Sequence, residues 1–188
     1  MPKTPNQSLL WKKFKRGNQL AFAKLYHEFY SSLYFFALKA THCPETAKEY
    51  VQELFVTLWD SRQRLGDVSD IKPYLFKSLR RIIYRQESAR SQPVTMLLAD
   101  SVELTFSPED FLIRQEDETY RQGTLAAVLN GLPARQREVV YLKYYEDLSY
   151  NQIAEVLQIN YQSVVNLVHQ AFKQLKQQSH LQQLLVQS

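Results

Sequence analysis

LSYNQIAEVLQINYQSVVNLVHQAFKQL, residues Leu148 to Leu175, reads as two helices joined by a very tight turn. Ser149 is a good helix N-cap, and Gln152 stands three residues on, where a capping box needs it. Ile153, Ala154, Val156 and Leu157 give the first helix an inner face, and small Ala154 suits a close approach of two helices. Gln158 and Ile159 leave almost no room for a loop before Asn160, a second N-cap. Val164, Val168, Ala171 and Leu175 then follow as one helical stripe. A short helix, a three- or four-residue turn and a longer helix make a helix-turn-helix unit. In that unit the second helix offers its outer face to the DNA major groove. Here the face is Tyr161, Gln162, Val165, Asn166, His169, Gln170 and Lys173, with Ser163 beside it. Gln and Asn pair bidentately with adenine, and Val or Tyr touches a thymine methyl. An ordinary helical hairpin with a polar outer face satisfies the same spacing. Lys173 and Lys176 are the only full cations there, so attraction to phosphate must come partly from elsewhere.

The rest of the chain supplies it. The 188 residues carry a net charge of +4, unevenly spread. Residues 1–90 hold 16 Lys/Arg against 8 Asp/Glu, a net of +8, and residues 91–188 hold 7 against 11, a net of −4. A basic first half points to a polyanionic partner. The length allows one domain or two small ones. With 4 Gly and 7 Pro, turns are few, which argues against an all-β fold. The single Cys43 excludes an intrachain disulfide and suits a reducing compartment. His27, His42, His169 and His180 have no metal-ligand spacing, and no nucleophile, base or metal cluster points to an enzyme. No cofactor or metal is expected. No apolar run approaches the ~20 residues of a membrane span, and the polar N-terminus has no signal-peptide pattern, so a cytoplasmic protein is expected.

From the N-terminus, Leu10, Trp11 and Phe14 form a first helical stripe, broken at Gly17-Asn18. Ala21, Phe22, Leu25, Phe29, Leu33, Phe36 and Ala37 continue at helical spacing to Thr41, while Lys12, Lys13, Lys15 and Arg16 form a solvated face. Cys43-Pro44 breaks the chain again. The next helix runs to about Arg62, with Ala47, Val51, Leu54, Phe55, Leu58 and Trp59 inward and Lys48, Glu49, Gln52, Glu53 and Thr57 outward. After a loop at Gly66, Ile71 to about Arg90 places Leu75, Leu79 and Ile82 or Ile83 inward. Lys72, Lys77, Arg80, Arg81, Arg85 and Arg90 fall on or beside its outer face, interleaved with Tyr74, Phe76 and Tyr84. Cations follow phosphates and rings stack on unpaired bases, so this face suits a single strand; a basic solvated helix with core aromatics is the alternative. Residues 88–107 lack a period and read as a linker, and Asp100 to Glu118, with seven acids and one base, is expected to be flexible and solvated. Ser107-Pro108-Glu109-Asp110 is a helix start, Phe111 to Asn130 is helical up to Gly131, and Ala134 to about Tyr145 follows, with Val139, Val140, Leu142 and Tyr144 partly inward. The Gln- and Leu-rich tail from Gln177 extends the last helix.

Two of these stretches resemble a known family. Ala47-Lys-Glu-Tyr-Val-Gln-Glu-Leu-Phe-Val-Thr-Leu-Trp59 resembles the region 2 helix of bacterial RNA polymerase sigma factors, which usually reads close to A-E-D-L-V-Q-E-V-F-L-R-L-W. Leu132-Pro-Ala-Arg-Gln-Arg-Glu-Val-Val140 and Leu148-Ser-Tyr-Asn-Gln-Ile-Ala-Glu-Val-Leu157 resemble the start of sigma region 4. The closest group is the extracytoplasmic-function (ECF) type, which keeps only regions 2 and 4. The resemblance implies an all-α fold of two small helical domains joined by a flexible acidic linker. Residues 1–90 would form the region 2 domain, 91–108 the linker, 109–178 the region 4 domain and 179–188 a tail. It implies a factor that binds core RNA polymerase and directs promoter recognition, DNA melting and transcription initiation. Glu49, Gln52, Glu53 and Asp60 would face the polymerase. Tyr74, Lys77, Arg80, Arg81, Tyr84 and Arg85 would meet the non-template strand of the minus-ten element. Tyr161, Gln162, Ser163, Asn166, His169, Gln170 and Lys173 would read the minus-thirty-five element. An anti-sigma factor is the regulator such a chain implies. The chain departs from the family in three places: Gln158 replaces the usual turn glycine, the recognition helix is poor in Arg, and Arg81 and Arg85 stand near positions that often hold Asn and Asp. Two other readings stay open, a stand-alone helix-turn-helix regulator and a sigma-like interaction protein with reduced DNA binding.

Overall fold

The computed structural model describes residues 5–68, 70–90, 101–107 and 119–186, and among these the regular structure is helical throughout. The chain divides at about residue 100 into two compact units.

The N-terminal unit packs four helices: α1 (Pro5–Lys15), α2 (Gln19–Thr41), α3 (Pro44–Ser61) and α4 (Ile71–Arg90). Its corners are set by local chemistry. Gly17 turns the chain at φ 83°, and Asn18 then caps α2, its Oδ1 accepting from the Ala21 N–H at 2.8 Å. His42 ends α2 in a left-handed conformation, φ 54°, and Pro44 opens α3 where its missing N–H costs nothing. α2 packs against α1, α3 and α4, and α3 against α4. The expected stripes meet in one core: Trp11 and Phe14 from α1, Leu25, Phe29, Leu33 and Phe36 from α2, Val51, Leu54 and Leu58 from α3, Leu75, Leu79 and Ile83 from α4. Trp11 satisfies its indole N–H on the Gly66 carbonyl at 3.0 Å, and Lys15 reaches Asp67 at 2.8 Å, so α1 is tied to the loop between α3 and α4. That hydrogen bond, together with the ammonium charge, holds the Asp67 carboxyl below its ordinary range.

The C-terminal unit contains α5 (Thr119–Asn130), α6 (Ala134–Tyr144), α7 (Tyr150–Leu157) and α8 (Tyr161–Val186). α6 and α5 both pack on α8. Leu129, Leu132, Val139, Leu142, Ile153, Val164, Val168 and Ala171 are buried in this unit.

Residues 101–107 correct the expectation of a flexible, solvated linker. This segment is extended, and Val102, Leu104 and Phe106 are buried at 4%, 0% and 2% exposure. Alternation with a period of two buries one side of an extended chain. Asn130 fastens it: its Oδ1 accepts from the Phe106 N–H and its Nδ2 donates to the Phe106 carbonyl, both at 2.8 Å. Glu103 accepts from Arg137 Nη2 at 2.9 Å, and the Phe106 ring lies 5.5 Å from that of Tyr145. The remaining linker residues, 91–100, and the helix start at Pro108-Glu109-Asp110 lie outside the described residues, as does the first part of the helix expected from Phe111.

Candidate functional surfaces of the two units

The outer face of α3 is not a plain polar face. Glu49, Gln52 and Asp60 are exposed as expected, but Val56 stands among them at 52% exposure. With Phe22 and Tyr26 of α2 and Phe55 and Trp59 of α3 it lines an open groove of about 370 Å³, with Gln52 and Asp60 at its rim. The walls are ring against ring: Phe22 lies 4.9 Å from Trp59, and Tyr26 4.8 Å from Phe55. Burial, and after it the neighbouring Tyr30, raises the Tyr26 phenol above its ordinary pKa. Arg62 covers the Trp59 ring at 4.3 Å, a cation–π contact. The helical stripe of α3 points only to the polar rim. A valine on the polar side of α3, and aromatics continuing around α2, are the sequence signals for the rest.

Glu53 departs from its neighbours. Its carboxylate turns to α4, where it accepts from Arg85 and, at 3.2 Å, from Gln86 Nε2. Tyr50, buried below it, donates to Glu87 at 2.8 Å.

On α4 the expected DNA residues separate. Lys77, Arg81, Tyr84 and Arg85 share one stripe, with Arg81, Tyr84 and Arg85 exposed and Lys77 half-buried. Tyr74 lies above them, but its ring packs edge-on against Trp11 at 5.4 Å. Arg80, expected on the outer face, is a correction: it is 6% exposed. It follows Phe76 by four residues and precedes Ile83 by three, so helical geometry turns it toward the side that buries both.

The helix-turn-helix forms with the expected caps. The Ser149 N–H donates to Gln152 Oε1 at 2.7 Å, and the Gln152 N–H returns to Ser149 Oγ at 3.3 Å, a complete capping box. Asn160 Oδ1 accepts from the Ser163 N–H at 2.7 Å. Gln158 holds the turn in the left-handed region at φ 55°. Tyr161, Gln162, Asn166, His169, Gln170 and Lys173 are exposed along α8, while Ser163 and Val165 are half-buried. Gln162 Nε2 donates to Asn166 Oδ1 at 3.0 Å, so two of the amides expected to face bases lie one turn apart and are aligned by each other. Phe172 meets Tyr144 of α6 at 5.5 Å. Tyr144 is 54% exposed, against the partly inward place its spacing predicts; the inward ring of that helix is Tyr141, which donates to Glu146 at 3.1 Å. Burial, and then the nearby Tyr150, raises the Tyr144 phenol.

Among the described residues no group of three His, Cys, Asp or Glu is placed to hold a metal ion, and no helix is long and apolar enough to cross a membrane.

Comparison with known proteins is consistent along the chain. Sigma-70 region 2 matches residues 25–91, and Sigma-70, region 4 matches residues 122–175, together more than half of the chain. RNA polymerase sigma factor YlaC of Bacillus subtilis is 26% identical over 162 residues, spanning 81% of this chain and 88% of that protein. ECF RNA polymerase sigma factor SigL of Mycobacterium tuberculosis is 29% identical over 154 residues, spanning 81% and 85%. Among solved structures the fold is similar to that of the sigma factor RpoE, in complex with the anti-sigma factor NepR from Bartonella quintana. There the TM-score is 0.63 at 21% identity, over 85% of this chain and 96% of that one. CnrH, in complex with the cytosolic domain of CnrY, gives a TM-score of 0.62 at 20% identity, over 90% and 94%.

Proposed function

This chain belongs to the sigma-70 family of RNA polymerase sigma factors, in the ECF type built from regions 2 and 4, and from that premise we propose how its surfaces divide the work. As a sigma factor it binds core RNA polymerase and directs it to promoters to initiate transcription. It is a binding protein and not a catalyst, and it works in the cytoplasm, where polymerase and promoter are.

The observation that carries the assignment is the pair of different surfaces on one helical unit: an apolar groove on α2 and α3, and a cationic, tyrosine-bearing stripe on α4. The groove takes the polymerase. Val56 and Trp59 bury against an apolar ridge, and Glu49, Gln52 and Asp60 pair with polar groups around it. This is the composition of a protein interface, an apolar centre with a polar rim. The α4 stripe takes the non-template strand at the minus-ten element. Lys77 and Arg81 contact phosphates, and Tyr84 stacks on an unpaired base. Unstacking that base costs a few kcal/mol, offset by the new stacking and by phosphate contacts. Tyr74 supports the stripe from its place against Trp11, and buried Arg80 serves the helix from within. The outer face of α8, from Tyr161 through Gln162, Asn166, His169, Gln170 and Lys173, reads the minus-thirty-five duplex, with Ser163 placed at its N-terminal edge. Few full cations lie on that face, so affinity for promoter DNA depends on the polymerase holding the chain in place. An anti-sigma protein regulates by covering these same faces.

Co-elution with purified core RNA polymerase tests the reading. Val56→Glu with Gln52→Ala introduces a charge into the groove and removes a rim amide; binding should weaken at least tenfold while helix content by circular dichroism stays the same. Undiminished co-elution would remove the groove from the polymerase interface.

A further inference from the structure

One carboxylate joins the two surfaces of the N-terminal unit. Glu53 belongs to the polar side of α3, beside Gln52 at the groove rim. Both its oxygens are taken by α4: Oε1 accepts from Arg85 Nη2, and Oε2 accepts from Gln86 Nε2 at 3.2 Å. The Tyr50–Glu87 bond, 2.8 Å, links the same two helices one turn away and is independent of it. Arg85 lies on the stripe with Lys77, Arg81 and Tyr84, and its side chain is 63% exposed, that of Glu53 34%.

An ion pair this exposed is favoured over its open state by at most about fivefold, so a competing donor can open it. While closed, it nearly cancels the guanidinium charge that an approaching phosphate would feel. A cationic donor from a docked protein that also pairs with this carboxylate shares its single negative charge, and so weakens its hold on Arg85.

We propose that Glu53 is a positioning residue that keeps Arg85 in reserve, and that a donor from a protein docked on α3 takes the Glu53 carboxylate and frees Arg85 for a DNA phosphate. The inference rests on the assignment of α4 to DNA made above. Docking on α3 and DNA contact on α4 then favour each other, as any linkage between two sites must be mutual. The same exchange lowers the attraction of the free chain for DNA.

The test uses the full chain and a fluorescent single-stranded DNA of mixed sequence, about 20 nucleotides long, longer than the roughly 4–16 nucleotides that one single-strand-binding module covers. Binding is followed by anisotropy between about 0.05 and 0.2 M salt. Glu53→Gln keeps the shape and removes the charge. It should steepen the dependence of log affinity on log salt by about 0.7, the increment for one additional neutralised phosphate, and raise affinity about three- to fivefold at about 0.1 M salt. Adding Arg85→Ala should remove that gain, which a merely structural role of Glu53 would not predict. A slope unchanged by Glu53→Gln, or a gain that persists without Arg85, overturns the proposal. Lys77→Ala with Arg81→Ala serves as the separate control. If that pair leaves the slope unchanged, the assignment of α4 to DNA falls, and the reserve falls with it; if the pair lowers the slope and Glu53→Gln does nothing, only the reserve falls.

Discussion

Gln158 shows how one position records both family and departure. The turn between α7 and α8 needs a left-handed residue, and Gln158 adopts it at φ 55°. A side chain there carries a steric cost of roughly 1–2 kcal/mol that glycine does not. Gln158→Gly should therefore stabilise the fold by about 1 kcal/mol, read as a higher urea midpoint. Asn130 is the opposite case. Its amide supplies both a donor and an acceptor to the Phe106 backbone. Asn130→Ala leaves those backbone groups without that partner and should cost about 1–3 kcal/mol in the same measurement. Asp67 carries a pH signature. Its folded pKa is depressed by Lys15, so the folded state binds its proton less readily than the unfolded chain. The contribution of this pair is complete above the unfolded pKa and is lost as pH falls through the folded one. A carboxyl titration by NMR should place Asp67 below an ordinary aspartate, and Lys15→Ala should return it toward the usual range.

The elements differ in how openly their sequence announces them. α3 and α4 are amphipathic, and their stripes alone placed Val51, Leu54, Leu58, Leu75 and Leu79 inside. The 101–107 segment announces itself only weakly: Val102, Leu104 and Phe106 alternate with Glu103 and Thr105 inside an acidic run. Three alternating residues are too few to outweigh that composition, and the groove that receives them is made by helices distant in sequence. Phe106→Ala should cost about 3 kcal/mol of C-terminal stability, as expected for a buried aromatic, and raise protease cleavage around residues 101–107. Cleavage and stability equal to those of the parent chain would mean the segment is not held there in solution. α6 shows a related failure of pattern: Gln136, Arg137 and Glu138 are buried together with Val139 to Leu142, so its helix has hardly any outward stripe to read.

Across the whole chain the charge is divided, a net of +8 before residue 91 and −4 after it. Polyanion attraction should therefore belong to the N-terminal unit. Lys77→Ala with Arg81→Ala should flatten the salt dependence of single-strand binding by about 0.7 for each phosphate the variant no longer neutralises. His169→Ala with Lys173→Ala should change it less, because α8 sits in a part of the chain with a net negative charge. Equal effects of the two pairs would contradict this division.

Local rules were enough for much of this protein. Helix identity, most boundaries, the caps at Ser149 and Asn160 and the inward stripes follow from side-chain period and hydrogen bonds within a few residues. The family motifs in α3 and before α8 were legible for the same reason, because each is contiguous. Folding settled what depends on residues distant along the chain. It brought Phe22 and Tyr26 beside Val56 and Trp59 to make a groove, turned Arg80 inward, and drew Glu53 from the α3 face onto Arg85. It also laid residues 101–107 into the C-terminal core. A period says which face of a helix is apolar; it does not say which other helix will cover that face, nor which charge will stand opposite a given carboxylate.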